Sequence, residues 1–141
     1  AILFTQLRDG RFKQQPLLVK DEEDAGMLLF DADGDGDLDW YCVSGGTELG
    51  KGEENYNDRL YFNDGKGNFT LNTQSLPVIR ASGSCVIGHD FDRDGDVDLF
   101  IGGRIKPGSY PLPPNSYVLQ NNGNGVFADI TDTVAPGLRT I

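Results

Sequence analysis

The chain has 141 residues, with 22 acidic against 12 basic side chains and a formal net charge of −10. That length suits one domain with its own core. The lack of a basic patch argues against a nucleic-acid partner, and no apolar run approaches the roughly 18 residues of a membrane span. Because the chain starts at Ala1 without a methionine, we expect a mature or excised piece of a longer protein.

Glycine and proline are frequent, at 19 and 7 residues, and hydrophobic residues make up 38% of the chain. This composition predicts short strands joined by many turns, and therefore an all-β fold. Helical periodicity is absent, and the charged segment 20–24 is interpreted as a loop.

In chain order, apolar segments alternate with turn sequences. The Asp-Gly and Asn-Gly pairs tolerate the positive φ that hairpin turns need. The runs at 27–30 and 38–43 are nearly continuous and predict strands covered on both faces. The predicted strands are Met27–Phe30, Leu38–Val43, Leu60–Asn63, Asn68–Leu71, Cys85–Gly88, Val97–Ile101, Val118–Asn121 and Val126–Ile130.

The sequence repeats itself after about 58 residues. DADGDGDLD at 31–39 returns as DFDRDGDVD at 90–98, and LYFNDGKGNF at 60–69 returns as VLQNNGNGVF at 118–127. LFTQLRDGRF at 3–12 is a fainter copy of the second motif. A period of this length with four strands per unit is typical of stacked repeat folds such as β-propellers.

The repeat divides the chain into three segments. Residues 1–25 are predicted to form the end of a preceding blade, 26–84 the first full unit, and 85–141 the second unit with the start of a following one. The predicted fold is thus all-β, with four-stranded antiparallel propeller-type blades: about two complete units plus partial blades at both ends.

The acidic excess is confined to two segments with aspartate at every second position. Removing these ten residues leaves acidic and basic side chains balanced, so the charge is local and must be neutralised locally. The candidate metal ligands are Asp31, Asp33, Asp35, Asp37, Asp39, Asp90, Asp92, Asp94, Asp96 and Asp98.

Hard oxygen donors without histidine or cysteine select calcium. Ligands at loop positions 1, 3 and 5, with glycine at 6, match the start of an EF-hand, but its glutamate at position 12 is missing. We therefore expect ligation to close at position 9. The first loop would use the side chains of Asp31, Asp33, Asp35 and Asp39 with the carbonyl of Asp37. The second would use Asp90, Asp92, Asp94 and Asp98 with the carbonyl of Asp96. The prediction is two Ca²⁺ sites, with Gly36 and Gly95 forming the sharp turns.

Two other interpretations of the loops are a solvated acidic turn without an ion and a catalytic carboxylate pair. The second is disfavoured because an active site seldom occurs twice at a repeat period. His89 is the only histidine, so no nucleophile, base and orienting group can be assembled. We predict a non-enzyme, with His89 packed in a strand near the ion.

These motifs resemble the FG-GAP/VCBS repeats known from integrin α-chains and secreted bacterial proteins. The resemblance rests on the two aspartate loops, the Gly-Gly that follows each exit strand, and the two hairpin motifs. GGR at 102–104, the proline-rich loop and DITDTVAPGL at 129–138 are further similar to Bacteroidetes-type proteins with an ASPIC/UnbV segment. The resemblance implies calcium-binding blades in a ring of about seven, more than this chain holds.

The implied function is a calcium-stabilised structural or adhesion module at an extracellular or cell-surface location. Its partners would be other copies, or the remainder of a longer chain, meeting through open blade faces. The alternatives are a carbohydrate-binding propeller, or the non-catalytic part of a secreted polysaccharide-active enzyme. The proline-rich loop at 106–117, with Tyr110 and Tyr117, could bind glycans or simply cover the blade edge.

Four further side chains carry expectations about packing. Trp40 and Tyr41 occupy the positions of Leu99 and Phe100, which favours a core role over a sugar platform. Cys42 and Cys85 have no zinc spacing, and two small buried residues are favoured over a disulfide.

Overall fold

The fold is that of a computed structural model, which describes residues 2–16, 23–46, 56–79, 81–109 and 111–139. The described residues form strands and very little helix, so the all-β prediction is confirmed. The strands are β1 (Ile2–Gln6), β2 (Phe12–Pro16), β3 (Glu23–Phe30), β4 (Asp39–Gly45), β5 (Arg59–Asn63), β6 (Phe69–Asn72), β7 (Ser82–His89), β8 (Asp98–Ile105), β9 (Tyr117–Asn121) and β10 (Phe127–Asp129).

The strands form three antiparallel sheets in which neighbours in sequence are neighbours in space. The first sheet is the hairpin β1-β2, the middle sheet has the order β3-β4-β5-β6, and the last sheet has the order β7-β8-β9-β10. Each four-stranded sheet is a meander of hairpins, which the Gly-rich turns allow. No closed ring is seen among the described residues, and the division at 26 and 85 stays a prediction: β3 and β7 begin slightly earlier.

All eight predicted strands are present, with bounds shifted by a few residues. The prediction of a loop over residues 20–24 is partly wrong. The last two residues of that segment belong to β3, paired with Gly45 and Ser44 across the middle sheet. The charge of Asp24 is compensated there by an ion pair with the buried Arg59 of β5, at 2.6 Å. The other three residues of that segment, Tyr110 and most of the connection 47–58 lie outside the described residues.

The core lies between the middle and last sheets. Tyr41, Val43 and Leu60 from the middle sheet are buried against Leu99 and Ile101 from the last sheet. The opposite face of the middle sheet buries a smaller cluster, in which Leu3 of the first sheet packs against three residues, Trp40, Cys42 and Tyr61. The predicted core role of Trp40 and Tyr41 is therefore confirmed.

The prediction that both faces of the strand are covered is correct for β4 and wrong for β3. Every residue of β4 is buried. Met27 and Leu29 of β3 are 59% and 45% exposed, and Leu38 is 54% exposed. The first sheet has only two strands and packs over Trp40 and its neighbours, so it leaves this edge of the middle sheet open.

The two cysteines differ in burial. Both are free; Cys42 is buried, as predicted, whereas the prediction of a buried Cys85 is wrong. Alternation along β7 places Cys85 on the same face as Ile87, and that face is exposed.

The chain ends in a short helix, α1 (Thr131–Val134), and a 3₁₀ turn at Pro136–Arg139. This segment folds back on the last sheet. Arg139 forms an ion pair with Asp129 at 2.6 Å and its guanidinium lies 4.5 Å from the centre of the Tyr117 ring. No helix in the described ranges is long and apolar enough to cross a bilayer.

Candidate metal centre

Each aspartate loop joins the first two strands of a four-stranded sheet. The first connects β3 to β4, where Phe30 pairs with Asp39, and the second connects β7 to β8, where His89 pairs with Asp98. The loops thus begin and end at paired residues, so their two ends are held together by the sheet.

The first aspartate of each loop organises the turn by accepting two backbone N–H groups. Asp31 accepts from Gly34 at 2.8 Å and from Gly36 at 3.0 Å. The second loop repeats the pattern, since Asp90 accepts from Arg93 at 2.7 Å and from Gly95 at 3.1 Å. Bonds from local backbone N–H groups to aspartate explain why this residue type starts the loop.

Positive φ occurs at positions 4 and 6 of both loops. Gly36 and Gly95 have φ of 90° and 101°, as expected for the predicted sharp turns. Position 4 is Gly34 in the first loop but Arg93, at φ 68°, in the second. A left-handed non-glycine residue costs on the order of 1 kcal/mol and needs support from its surroundings.

The last aspartate of each loop is buried and tied to a neighbouring strand. Asp39 accepts from Ala32 N and from Asn63 N, both at 2.9 Å. Burial raises the pKa of Asp39, and the charges of Asp33 and Asp35 raise it further, against the effect of these two hydrogen bonds. Burial therefore disfavours the ionised form of Asp39 unless a positive charge compensates it.

Asp98 repeats this arrangement in the last sheet, accepting from Phe91 N at 3.0 Å and from Asn121 N at 2.9 Å. The two closing aspartates are 0% and 2% exposed. Each one therefore joins its own loop to the third strand of its sheet, which makes the loop part of the sheet's framework.

Three carboxylates of each loop converge. One oxygen from each of Asp31, Asp33 and Asp39 lies within 4.8 Å of the others, and Asp90, Asp92 and Asp98 form the same group. These groups contain six of the ten predicted ligands.

The other four predicted ligands lie outside these groups. Asp35 and Asp94 each accept the backbone N–H of the residue two positions on, at 2.9 Å. The carboxylates of Asp37 and Asp96 contact the turn glycines Gly65 and Gly123. Desolvation and the neighbouring carboxylates raise the pKa of Asp96. A backbone carbonyl at position 7 remains a prediction.

The donor set fits a hard divalent cation. The converging atoms are all carboxylate oxygens, which calcium prefers. The ion pairs among described residues are formed by Arg11, Arg59 and Arg139, and none of them reaches a loop aspartate. Protein cations of the described part therefore leave the loop charge uncompensated.

The surroundings of the two loops differ, although their internal bonds match. The side-chain amide of Asn121 donates to the carbonyl of Ala32 in the first loop at 2.8 Å. In the second loop, Gln120 Nε2 donates to Asp92 Oδ2. Neither residue was predicted from the sequence; the signal for Asn121 was the asparagine shared by LYFN and VLQN at the end of each third strand.

Among the described residues, no second group of metal-binding side chains includes the histidine. His89 is exposed, and its ring meets that of Phe91 edge-on at 5.7 Å. Desolvation raises the pKa of Asp58 to about 7 and that of Cys42 to about 12. Both lie in the interior, where Asp58 accepts from Tyr41 Oη at 2.7 Å.

Comparison with known proteins agrees with the repeat. The model of the FG-GAP-like repeat matches residues 31–101, from the first aspartate loop through the second and into β8. Comparison with curated proteins gives no match. The match covers half of the 141 residues and includes both candidate metal centres. The chain belongs to the FG-GAP-like repeat family.

Proposed function

We propose that the chain is a calcium-stabilised structural or adhesion module of a larger extracellular protein. The observation that carries the proposal is the matched pair of loops. Each one has the same backbone-to-aspartate hydrogen bonds and the same three converging carboxylates. A structure built twice at a repeat period suits a stabilising role more than catalysis, and we propose that the module is not an enzyme.

Electrostatics gives the reason why the loops would need an ion. Carboxylates a few ångströms apart repel each other, and burial of Asp39 and Asp98 removes water that would screen them. A bound Ca²⁺ would supply the compensating charge at these oxygens. The three converging carboxylates of each loop, with the remaining loop oxygens, would hold it.

The closing aspartates would transmit this stabilisation to the sheets. Asp39 holds the N–H of Asn63 on β5, and Asp98 holds that of Asn121 on β9. Fixing these carboxylates therefore fixes the alignment of the first three strands in each sheet. Calcium is available at millimolar levels outside cells, where extracellular modules bind with Kd of roughly 10⁻⁴–10⁻³ M.

We also propose that the sheets stack as propeller-type blades and that the last sheet carries another repeat unit on its open face. Three residues of the middle sheet and its loop on the side of the last sheet are wholly or partly buried: Leu28, Ala32 and Leu60. Their counterparts in the repeat, Ile87, Phe91 and Val118, line a cleft of about 540 Å³.

The exposure of that cleft supports the proposal that a further repeat unit covers it. Ile87 and Phe91 are 57% and 46% exposed, whereas Ala32 at the position of Phe91 is 1% exposed. Apolar residues at positions that the preceding interface buries indicate a surface for the same kind of partner. Light scattering of the chain in Ca²⁺ tests this: we expect association that Phe91→Asp weakens and Leu112→Asp, at an exposed site outside the cleft, does not. A monomer at high concentration would contradict it.

Calcium stoichiometry tests the proposed function itself. Isothermal titration calorimetry should find two Ca²⁺ per chain, and one after Asp31→Asn with Asp33→Asn, or after Asp90→Asn with Asp92→Asn. Variants of both loops should bind none. A parent chain that takes up no Ca²⁺ at millimolar concentration would overturn the proposal.

A further inference from the structure

One side chain connects the two candidate metal centres. Asn121 lies at the end of β9 and is 3% exposed. Its backbone N–H donates to Asp98 Oδ1 in the second loop, and its side-chain Nδ2 donates to the carbonyl of Ala32 in the first. The N–H of Ala32 in turn donates to Asp39 Oδ2.

These three hydrogen bonds form a continuous path between the closing aspartates of the two loops. They measure 2.9, 2.8 and 2.9 Å in order from Asp98 to Asp39. All four residues on the path are at most 3% exposed, so water does not compete for the bonds. The path also crosses the interface between the middle and last sheets.

We propose that Asn121 is a positioning residue that couples the two cation sites, so that filling one site raises the affinity of the other. This inference rests on the proposed calcium function. Occupancy of the second loop would fix Asp98, and Asp98 holds the backbone of Asn121. The ordered side chain then holds Ala32, which positions Asp39 before the first site is filled. The first site then loses less conformational entropy when it binds its ion. By thermodynamic linkage, filling the first site raises the affinity of the second by the same factor.

The chain contains a matched control for this role. Asn63 occupies the same place in the middle sheet, and its N–H donates to Asp39 at 2.9 Å. Its side chain accepts from Gly67 N at 3.1 Å and donates to the carbonyl of Leu38 at 3.2 Å. Within its own sheet, Asn121 likewise donates to the carbonyl of Val97, and it accepts from Gly123 N, two residues on instead of four. Among the described residues, only Asn121 adds a bond to the other loop.

The surroundings of the first loop reinforce the coupling. A Cβ placed on Gly125 would lie 3.4 Å from Asp33 Cβ, and one on Gly34 would lie 3.6 Å from the carbonyl of Gly123. The turn that follows Asn121 therefore packs directly on the first loop. Any shift of that turn moves the groups that surround Asp33 and Ala32.

Titration calorimetry with Ca²⁺ tests the coupling. The variant Asp90→Asn/Asp92→Asn reports the first site alone, and the parent reports it with the second site filled. We expect the affinity of the first site to be at least about 5-fold higher in the parent. In the Asn121→Ala background this ratio should fall to about one, whereas Asn63→Ala should leave it unchanged.

The outcomes separate this inference from the proposed function. Two bound ions with a ratio near one in the parent, or a ratio that survives Asn121→Ala, would overturn the coupling and leave the calcium role intact. Absence of any calcium binding would overturn both. If Asn121→Ala does not fold, Asn121→Asp replaces it, since it keeps an acceptor for Gly123 and loses the donor to Ala32. Asn63→Asp is then the control.

Discussion

The middle and last sheets are two copies of one design in different surroundings. Both are four-stranded meanders that carry an aspartate loop between their first two strands. The same face that is buried under the last sheet in the first copy is open in the second, where it forms the cleft beside Phe91. The difference shows that the repeat fixes the sheet and its loop, while burial depends on whether a neighbouring unit is present.

The two aspartate loops also share their internal structure and differ in their surroundings. Their internal hydrogen bonds agree within a few tenths of an ångström, for example 2.8 and 2.7 Å at position 1. Their contacts differ, because the first loop meets Asn121 from the next sheet and the second meets Gln120 from its own. Local sequence therefore determines the bonds within each loop, and the stacked neighbour adds the contact of Asn121 to the first loop alone.

The largest expected effect comes from removing a side chain buried between the sheets. Leu60 is 0% exposed in the core between the middle and last sheets, so Leu60→Ala should cost about 3 kcal/mol of unfolding free energy. Val118 holds the same position in the last sheet but lines the open cleft, and Val118→Ala should cost less than about 1 kcal/mol.

Urea unfolding of the two variants and the parent, at equal Ca²⁺, measures this contrast. Comparable losses at Leu60 and Val118 would show that the outer face of the last sheet is as well packed as the interface. The comparison between the sheets would then be wrong.

A smaller effect is expected at the turn that packs on the first loop. Gly125 has φ 69°, and a Cβ there would lie 2.5 Å from the Phe62 ring. Gly125→Ala should cost about 2–3 kcal/mol, from the left-handed backbone and the clash together. Gly67 has φ 80° but only Thr5 Cγ2 near, at 3.8 Å, so Gly67→Ala should cost about 1 kcal/mol.

Thermal melting of both glycine variants separates the two causes, since the backbone penalty is common to them. Equal shifts in melting temperature would mean that the contact between Gly125 and Phe62 contributes nothing. A larger shift at Gly125 would confirm that the second hairpin turn is pressed against the middle sheet.

Much of the fold follows from periodicity. The alternation of apolar segments with Asp-Gly or Asn-Gly pairs predicted eight strands, and all eight are present. These pairs indicate strand ends because they favour the positive φ of hairpin turns. Exposure of Met27 and Cys85 was not predictable in the same way. Whether one face of a strand is covered depends on a neighbouring sheet, and the strand's own residues do not report it.

The candidate site, too, could be predicted only in part from the sequence. Ten aspartates could be found from their spacing, but the spacing does not say which carboxylates converge. The structure brings together positions 1, 3 and 9, whereas the predicted carboxylates at position 5 instead accept the backbone N–H of position 7. Asn121 could not be assigned its role from sequence, since its partner Ala32 belongs to the other unit.

Thermal unfolding with and without calcium is the most direct test of the central claim. At free Ca²⁺ about 100-fold above Kd, each site should add roughly 2.7 kcal/mol. We therefore expect the melting temperature in excess EDTA to be lower by about 10 °C or more, and to recover when Ca²⁺ is restored. Mg²⁺ should recover much less, because it needs a smaller, octahedral site. Superimposable melting curves in EDTA and in Ca²⁺ would contradict the account.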